Sequence, residues 1–314
     1  MPYTGTTANY AAAAQSNAST VSYAKETLFA LNPGGAFQRL RFTGESFRRN
    51  DSRQRPEEIN LLSEVSQGVT TQESVSGTLS GAFSAGTYDD FLAAILGGDW
   101  QEDGALINGD LVKTWSLVQK IGDGHLLRPG AFCTRAQIGF PQGGFANVSF
   151  DFTCSRQEKS VSDPAGSYLA APDGPVFDTI GNLGELRLGG EVPEGALREL
   201  TLTLARDGAE SDYGLGSAAS VGIRPGQFMA TGQVQLFFRD WSLYDRFEIG
   251  WSGRIEIDLR DRNGRGYRFI FLNASLQNPE INAGARNTSI VATFAIEGNP
   301  QPGGGTFRIE RLTP

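Results

Sequence analysis

The amino-acid sequence predicts a mainly β protein with two tandem domains, each with one short α-helix. Composition, an alternation of apolar and polar residues, and an internal repeat support this prediction. The chain has 314 residues, including 40 glycines and 20 phenylalanines. Such a composition is typical of short strands joined by glycine-rich turns. Domains cluster near about 100 to 150 residues, so the length favours two of them.

Two segments alternate with the period of a β-strand. In residues 74–84, one face carries Val75, Gly77, Leu79, Gly81 and Phe83, and the other carries Ser74, Ser76, Thr78, Ser80 and Ser84. In residues 228–238, apolar or small residues alternate with Met229, Thr231, Gln233 and Gln235. Successive strand side chains point to opposite faces, so each segment should pack one face and expose the other to water.

Aromatic and β-branched content predicts further strands. In chain order they cover residues 37–47, 114–121, 132–140, 145–155, 197–206, 254–259, 267–272, 288–296 and 307–312. Residues 48–58 are polar and arginine-rich, and Pro56 interrupts them, so we interpret them as a connection.

Two short helices are predicted. In residues 88–96 the apolar side chains have helical spacing, and Gly97 and Gly98 end the run. Residues 241–247 are the second helix candidate. Each candidate follows one of the two alternating strands.

The strand and helix together form an internal repeat. Gly77 corresponds to Gly232, 155 residues later (232 − 77), and a phenylalanine follows each glycine after six residues. The motif Tyr-Asp-Asp-Phe that begins at Tyr88 returns as Tyr-Asp-Arg-Phe at Tyr244, with one residue inserted. This order and spacing predict a duplicated domain.

These observations divide the chain into five parts. They are an N-terminal arm (1–27), a first domain (28–158), a linker (159–183), a second domain (184–298) and a C-terminal arm (299–314). The first arm is rich in Ala, Ser, Thr and Asn without apolar periodicity, which predicts a segment that does not pack in the isolated subunit. The linker contains Pro- and Gly-rich turns, and glycines 303–305 predict a hinge before the last strand.

The net charge of −8 and the pI of about 4.9 limit the possible partners. An acidic protein repels the phosphate backbone, so any DNA that it meets should be passed, not gripped. No apolar run approaches the roughly 20 residues of a membrane span, and no signal peptide is recognisable, so we expect no membrane partner and a cytoplasmic product. Reducing cytoplasm favours buried free thiols at Cys133 and Cys154, with a disulfide as the alternative.

Few residues could carry catalytic chemistry. His125, the only histidine, lies in a glycine-containing turn and is interpreted as an exposed loop residue. A single histidine removes most catalytic triads and His-cluster metal sites. Asp89 and Asp90 could serve glycoside hydrolysis, but in the first turn of a helix they stabilise its dipole. The sequence therefore predicts no catalytic, cofactor or metal site and no enzymatic activity.

One dense basic cluster is followed by two carboxylates. Its members are Arg48, Arg49, Arg53 and Arg55, with Glu57 and Glu58 beyond them. A nucleic-acid site is one interpretation, but no aromatic residues are interleaved for base stacking, and the whole chain is acidic. We favour ion pairs at a contact between subunits.

Four segments, in this order and spacing, carry a resemblance to a known family. They are VSYAKET (21–27), FQRLRFTGES (37–46), DSRQRP (51–56) and GTYDDFL (86–92). They resemble the tail tube (major tail) proteins of long-tailed, non-contractile phages and prophages, in the two-repeat group whose chains have about this length. The resemblance is strong over residues 21–100, whereas the internal repeat carries it afterwards.

The resemblance implies tail-tube-type β-sandwich or barrel domains in subunits that form stacked rings, with one sheet from each domain joining a barrel around the lumen. A single-domain member makes six-fold rings, so two domains per chain imply three chains in a pseudo-six-fold ring. The implied partners are other copies of the chain, the tail terminator, distal tail and tape measure proteins, and DNA that passes through the tube during genome delivery. The implied location is the virion tail, after assembly in the host cytoplasm.

A bore for DNA should carry no sticky apolar or strongly basic surface. The lumen candidates are therefore the polar strand faces, namely Ser74, Ser76, Thr78, Ser80, Thr231, Gln233 and Gln235, with an ordinary solvated outer face as the alternative. Both arms are candidates for docking between rings. The competing function is a tail terminator or baseplate hub component that forms a single ring, and a two-carboxylate carbohydrate hydrolase is a third, disfavoured interpretation.

Overall fold

The fold comes from a computed structural model that describes residues 16–59, 64–284 and 286–313. The strands that precede the first helix are β1 (Thr20–Lys25), β2 (Ala36–Leu40), β3 (Gly44–Glu45), β4 (Arg48–Gln54) and β5 (Val69–Ala82). Helix α1 (Asp89–Leu96) is followed by β6 (Ala105–Ile107), β7 (Thr114–Ile121), β8 (Gly124–Phe140), β9 (Asn147–Cys154), β10 (Glu158–Ser160) and β11 (Ser167–Leu169).

The described residues of the second half contain nine strands and one helix. They are β12 (Leu183–Leu188), β13 (Leu197–Asp207), β14 (Glu210–Tyr213), β15 (Ser220–Arg224), β16 (Gln227–Phe237), α2 (Ser242–Glu248), β17 (Ser252–Arg260), β18 (Gly266–Asn282), β19 (Val291–Gly298) and β20 (Phe307–Leu312). A 3-10 helix, Ser16–Ala18, precedes β1. The mainly β fold and the two short helices of the prediction are confirmed.

The same order of elements and pairings occurs twice. The first set is β5, α1, β7, β8 and β9, and the second is β16, α2, β17, β18 and β19. In each set the long strand, β8 or β18, pairs through its first half with the strand before it and through its second half with the strand after it. Gly77 lies opposite Phe152, and Gly232 lies opposite Ile296, so the register also agrees. The strand pairing thus contains a repeat, and the division into two domains stays a prediction.

One run of antiparallel strands crosses both sets. Its order is β4, β5, β9, β8, β13, β16, β19 and β18. β3 continues β4 in the same register against β5. Residues 135–140 of β8 pair with residues 200–205 of β13, and this pairing joins the two sets. We call it the in-chain junction.

The first halves of the two long strands, β8 and β18, pair with further strands outside this run. β7, β1, β2, β10 and β11 continue from β8, and β17, β12, β20 and β6 continue from β18. Aromatic rings fill the space between these groups: the centroids of Tyr23 and Phe91 are 4.6 Å apart, and those of Phe83 and Tyr267 are 5.4 Å apart. A single cluster of buried side chains extends through both sets, so their apolar cores are continuous.

The two helices differ in burial. α1 buries every residue from Phe91 to Leu96, and Gly97 ends it in the left-handed conformation (φ 64°), with its N–H bonded to the Ala93 and Ala94 carbonyls. α2 has no buried residue. Tyr88 is the N-cap of α1, whereas Tyr244 is the third residue of α2, so the two predicted helix motifs do not occupy equivalent places.

The prediction of an unpacked N-terminal arm is wrong for β1. This strand pairs with both β2 and β7, and Val21 and Tyr23 are buried. Ser22 and Ala24 are buried as well, so the strand has no water-facing side, and its small residues conceal the pattern. Residues 1–15 of the predicted arm lie outside the described residues.

Two other predicted connections also belong to the sheets. The last strand is not a free arm in this subunit, because β20 pairs with β18 and β6 and buries Phe307 and Ile309 completely. Its docking between rings stays a prediction. In the predicted linker, β10 pairs with β8, β11 pairs with β2, and Phe177 is fully buried. Most of the predicted connection at residues 48–58 is in fact β4, whose seven residues are all exposed, so burial leaves no apolar pattern there.

Candidate assembly surfaces

Both groups of lumen candidates lie on one face of the same sheet. A row of directly paired residues crosses the sheet from β5 to β16 and connects the two groups. From strand to strand, its members are Ser80, Ser149, Gln137, Thr203 and Thr231. Opposite residues in a sheet point to the same side. The other candidates follow at two-residue steps along β5 and β16, namely Ser74, Ser76, Thr78, Gln233 and Gln235. We call this surface the polar face; its place in a lumen stays a prediction.

The polar face carries more carboxylates than cations. Its registered pairs include the acidic residues Asp151, Glu199, Asp207, Glu280 and Glu297 and the basic residues Arg48, Arg53 and Arg135. The hydroxyl of Thr78 donates to Asp151 Oδ1 over 2.6 Å. An excess of negative charge and a row of small polar side chains disfavour retention of a phosphate backbone.

The run of strands ends in two open edges within the described chain. At one end, β3 and β4 pair with β5 alone. At the other end, residues 276–282 of β18 pair with β19 alone. An open edge presents backbone N–H and C=O groups that can accept a further strand. Sequence reasoning missed this second edge, because the predicted strand ended at residue 272.

The six predicted inter-subunit residues lie on and just beyond the first of these edges. Arg48, Arg49 and Arg53 are on β4, and Arg55, Glu57 and Glu58 follow it; all six are exposed. Arg49 forms ion pairs with Asp51 at 2.7 Å and with Glu73 at 3.3 Å. Arg53 Nη2 donates to the Gly68 carbonyl over 2.7 Å. Across the described ranges, neither Glu57 nor Glu58 pairs with an arginine, and a contact between subunits stays a prediction for this cluster.

The carboxylates considered for hydrolysis have structural partners. Asp89 accepts a hydrogen bond from the Tyr267 hydroxyl and lies 2.6 Å from Arg311 Nη2. Burial raises the pKa of Asp89 even though both partners lower it. Asp90 accepts a hydrogen bond from the Tyr23 hydroxyl over 3.0 Å. These bonds hold the start of α1 against β1 and β18. In the part of the chain that the structure describes, no group of three His, Cys, Asp or Glu residues could hold a metal ion.

The remaining reactive side chains are buried. The interpretation of His125 as an exposed loop residue is wrong: β10 covers the start of β8, and the imidazole Nε2 lies 3.6 Å from Asp163 Oδ2. Cys133 and Cys154 are buried free thiols. Burial raises the pKa of Cys154 to about 12, which disfavours the reactive thiolate.

The sheet has one polar face and two open strand edges, and the reactive side chains considered above are buried or bonded to structural partners. These features are those of a structural β protein that assembles through its strand edges. The protein-family comparison agrees, because the family described as phage tail tube protein matches residues 16–300. The chain belongs to this family of structural tail proteins, which assemble into the tube of the virion tail. No curated protein matches the chain. Over the described residues, the helices are too short to cross a lipid bilayer.

Proposed function

We propose that the chain polymerises into stacked rings of three subunits, each ring pseudo-six-fold, and that the stack is the conduit for genome delivery. The observation that carries this proposal is the run of eight strands with open edges at both ends. Closing such a run with further copies removes both of its open edges, which is the general advantage of a barrel. Two repeats per chain and three chains make six equivalent units, the pseudo-six-fold arrangement.

In this ring the polar face lines the bore. Its row of Ser, Thr and Gln side chains gives passing DNA little apolar surface to adhere to, although Met229 is exposed on this face, and its surplus of carboxylates repels phosphate. The opposite face of the same strands is apolar and buried in the subunit core, so it cannot line a water-filled channel. The tail terminator, distal tail and tape measure proteins are the proposed partners in the virion, and assembly takes place in the host cytoplasm.

Electron microscopy of the purified protein tests the assembly. Negative-stain images should show tubes of variable length, because an identical ring can stack on each end of the last one. Single rings of uniform height would instead favour a tail terminator or baseplate hub component. Monomers alone, at concentrations where related tubes grow, would refute the proposal.

Chemical labelling tests which face lines the bore. A Ser76→Cys variant should react with a biotin maleimide and bind streptavidin as a subunit, but not inside an assembled tube. Glu185→Cys, at an exposed position of β12 outside the run of eight strands, is the matched control and should bind streptavidin in both states. Streptavidin binding to Ser76→Cys along intact tubes would place the polar face outside.

A further inference from the structure

We propose that residues 280–283 of one copy pair antiparallel with residues 45–48 of the next, in the register of the in-chain junction, with Glu280 opposite Arg48. This inference rests on the proposed ring and adds its subunit contact at residue level. The partner is a second copy of this chain. The two segments belong to the open edges at opposite ends of the run.

The in-chain junction is the template. There, Phe140 lies opposite Leu200 and Arg135 lies opposite Ala205. Ile138 and Leu202 face each other at its centre, and both are fully buried. The pairing of β8 with β13 therefore shows, within one chain, how the end of one set docks against the start of the next.

Because of the repeat, each residue of the in-chain junction has an equivalent position at one of the two open edges. On the β13 side, Leu200 opposes Val234, as Glu45 opposes Leu79, so the offset is 155 residues (200 − 45 and 234 − 79). On the β8 side, Ile138 opposes Val148 and Ile281 opposes Ala292.

That second comparison gives an offset of 143 residues for the long strand (281 − 138). Both long strands also have a register shift in this region, after Cys133 and after Gln277. Applying the two offsets to the in-chain junction places residue 45 opposite 283, residue 47 opposite 281, and residue 48 opposite 280.

The side chains at these positions fit the pairing. Phe47 and Ile281 are the counterparts of the buried pair Leu202 and Ile138, yet in the single chain both are only half-buried and lie at the border of the core. A second copy would bring the two apolar side chains together and complete their burial. Isolated apolar residues on a surface are common, but two that meet in a register fixed by other residues are informative.

Charge complementarity supports the same register. Arg48 is exposed and has no ion pair among residues 16–59, 64–284 and 286–313, and Glu280 is exposed at the other edge, where it accepts a bond from Asn282 Nδ2 over 2.6 Å. Opposite charges directly across two strands attract, and like charges repel. The in-chain counterparts, Thr203 and Gln137, are uncharged, so this ion pair would belong to the contact between copies alone.

The backbone at the first edge is ready to pair. The Ser46 N–H points towards β5 and bonds to the Thr78 carbonyl over 3.0 Å. The next N–H, that of Phe47, therefore points away from β5, and within the subunit it is bonded to the carboxylate of Glu45 at 3.1 Å. A strand from the next copy would replace this local cap. Residues 46 and 282 would then form a non-hydrogen-bonded pair, whose Cα atoms are about 4.5 Å apart.

That spacing permits a register-specific disulfide. In Ser46→Cys/Asn282→Cys tubes, mild oxidation should produce a ladder on non-reducing gels that ends at a covalent ring of three chains. Asn50→Cys/Asn282→Cys is the matched control: its positions would be four residues out of register, about 13 Å apart at 3.3 Å per residue, and should not cross-link. Thr203→Cys/Gln137→Cys should cross-link within one chain and serves as the positive control. The three inter-copy positions, Ser46, Asn50 and Asn282, are exposed, so the variants should fold.

A charge exchange gives an independent test. Arg48→Glu should reduce the yield of assembled tubes about tenfold at fixed protein concentration, and Glu280→Arg should do the same. Combining them should restore the wild-type yield, while each soluble subunit keeps its far-UV circular dichroism spectrum. Cross-linking of the control pair, or tubes that form without cross-linking at 46 and 282, would overturn the register and leave the tube function intact. Failure of the wild-type chain to form any ring would refute the proposed function itself.

Discussion

Arg206 links the two sets of strands, and its replacement is a test of how firmly they are joined. The side chain extends from β13, which pairs with β16 of the second set, to the end of α1, in the first set. Its Nε donates to the Ile95 carbonyl over 2.8 Å, and Nη2 donates to the Gly109 carbonyl over 3.1 Å. The guanidinium also lies 5.5 Å from the centre of the Phe228 ring. Burial lowers the pKa of Arg206, although the group remains charged at neutral pH.

We expect Arg206→Leu to lower the free energy of unfolding by about 2–4 kcal/mol. Hydrogen bonds to a charged group contribute about 1.5–3 kcal/mol each, and two carbonyls lose their donor. Part of that loss is offset because a buried charge no longer has to be desolvated. Arg206→Lys keeps the charge but cannot make both bonds in the same geometry, so it should lose about half as much.

Urea denaturation followed by tryptophan fluorescence measures these differences. Arg198→Leu is the matched control, because Arg198 is exposed on the same strand, and it should change the free energy by less than about 0.5 kcal/mol. A change for Arg206→Leu as small as that of the control would refute the view that this arginine joins the two sets.

Three further predictions concern side chains that are buried or half-buried. Glu26 accepts four hydrogen bonds, two of them from backbone N–H groups, so Glu26→Gln should destabilise the fold by about 1–3 kcal/mol in the same urea assay, and an unchanged midpoint would contradict this. Burial alone would raise the pKa of Asp258, but bonds and charge from Arg268 outweigh it and lower that pKa. Its stabilisation is therefore present above the unfolded pKa, near 4, and is lost as the pH falls through the lowered folded value. Wild type and Asp258→Asn should therefore differ in stability at pH 7 and converge as the pH falls through that lowered pKa, and an unchanged difference in acid would contradict this. Cys133 and Cys154 should resist a thiol reagent at pH 8 in the native protein and both react in urea, and rapid native labelling would contradict their burial.

Alternation predicts the fold best where a strand has one dry and one wet side. β5 and β16 meet that condition, and the sequence places both correctly with their polar residues on one face. β1 fails it because four consecutive residues are buried, and β4 fails it because all its residues are exposed. In both cases tertiary environment, not local pattern, decides the structure.

The candidate surfaces depend on pairings between residues far apart in the chain. The sequence indicates the lumen candidates from their period, but not that two strands 155 residues apart share one sheet face. The extension of β18 past Asn273 was also unpredictable, since Pro279 and a positive φ at Asn278 interrupt its pattern. This extension creates the second open edge, on which the inferred contact between copies depends.

A cryo-electron microscopy reconstruction of the tube tests the central claim most directly. We expect three chains in each ring, with the polar face on the bore and residues 280–283 paired with residues 45–48 of the next copy. Six full chains per ring, or a ring in which Ser76 and Gln233 face outward, would contradict it.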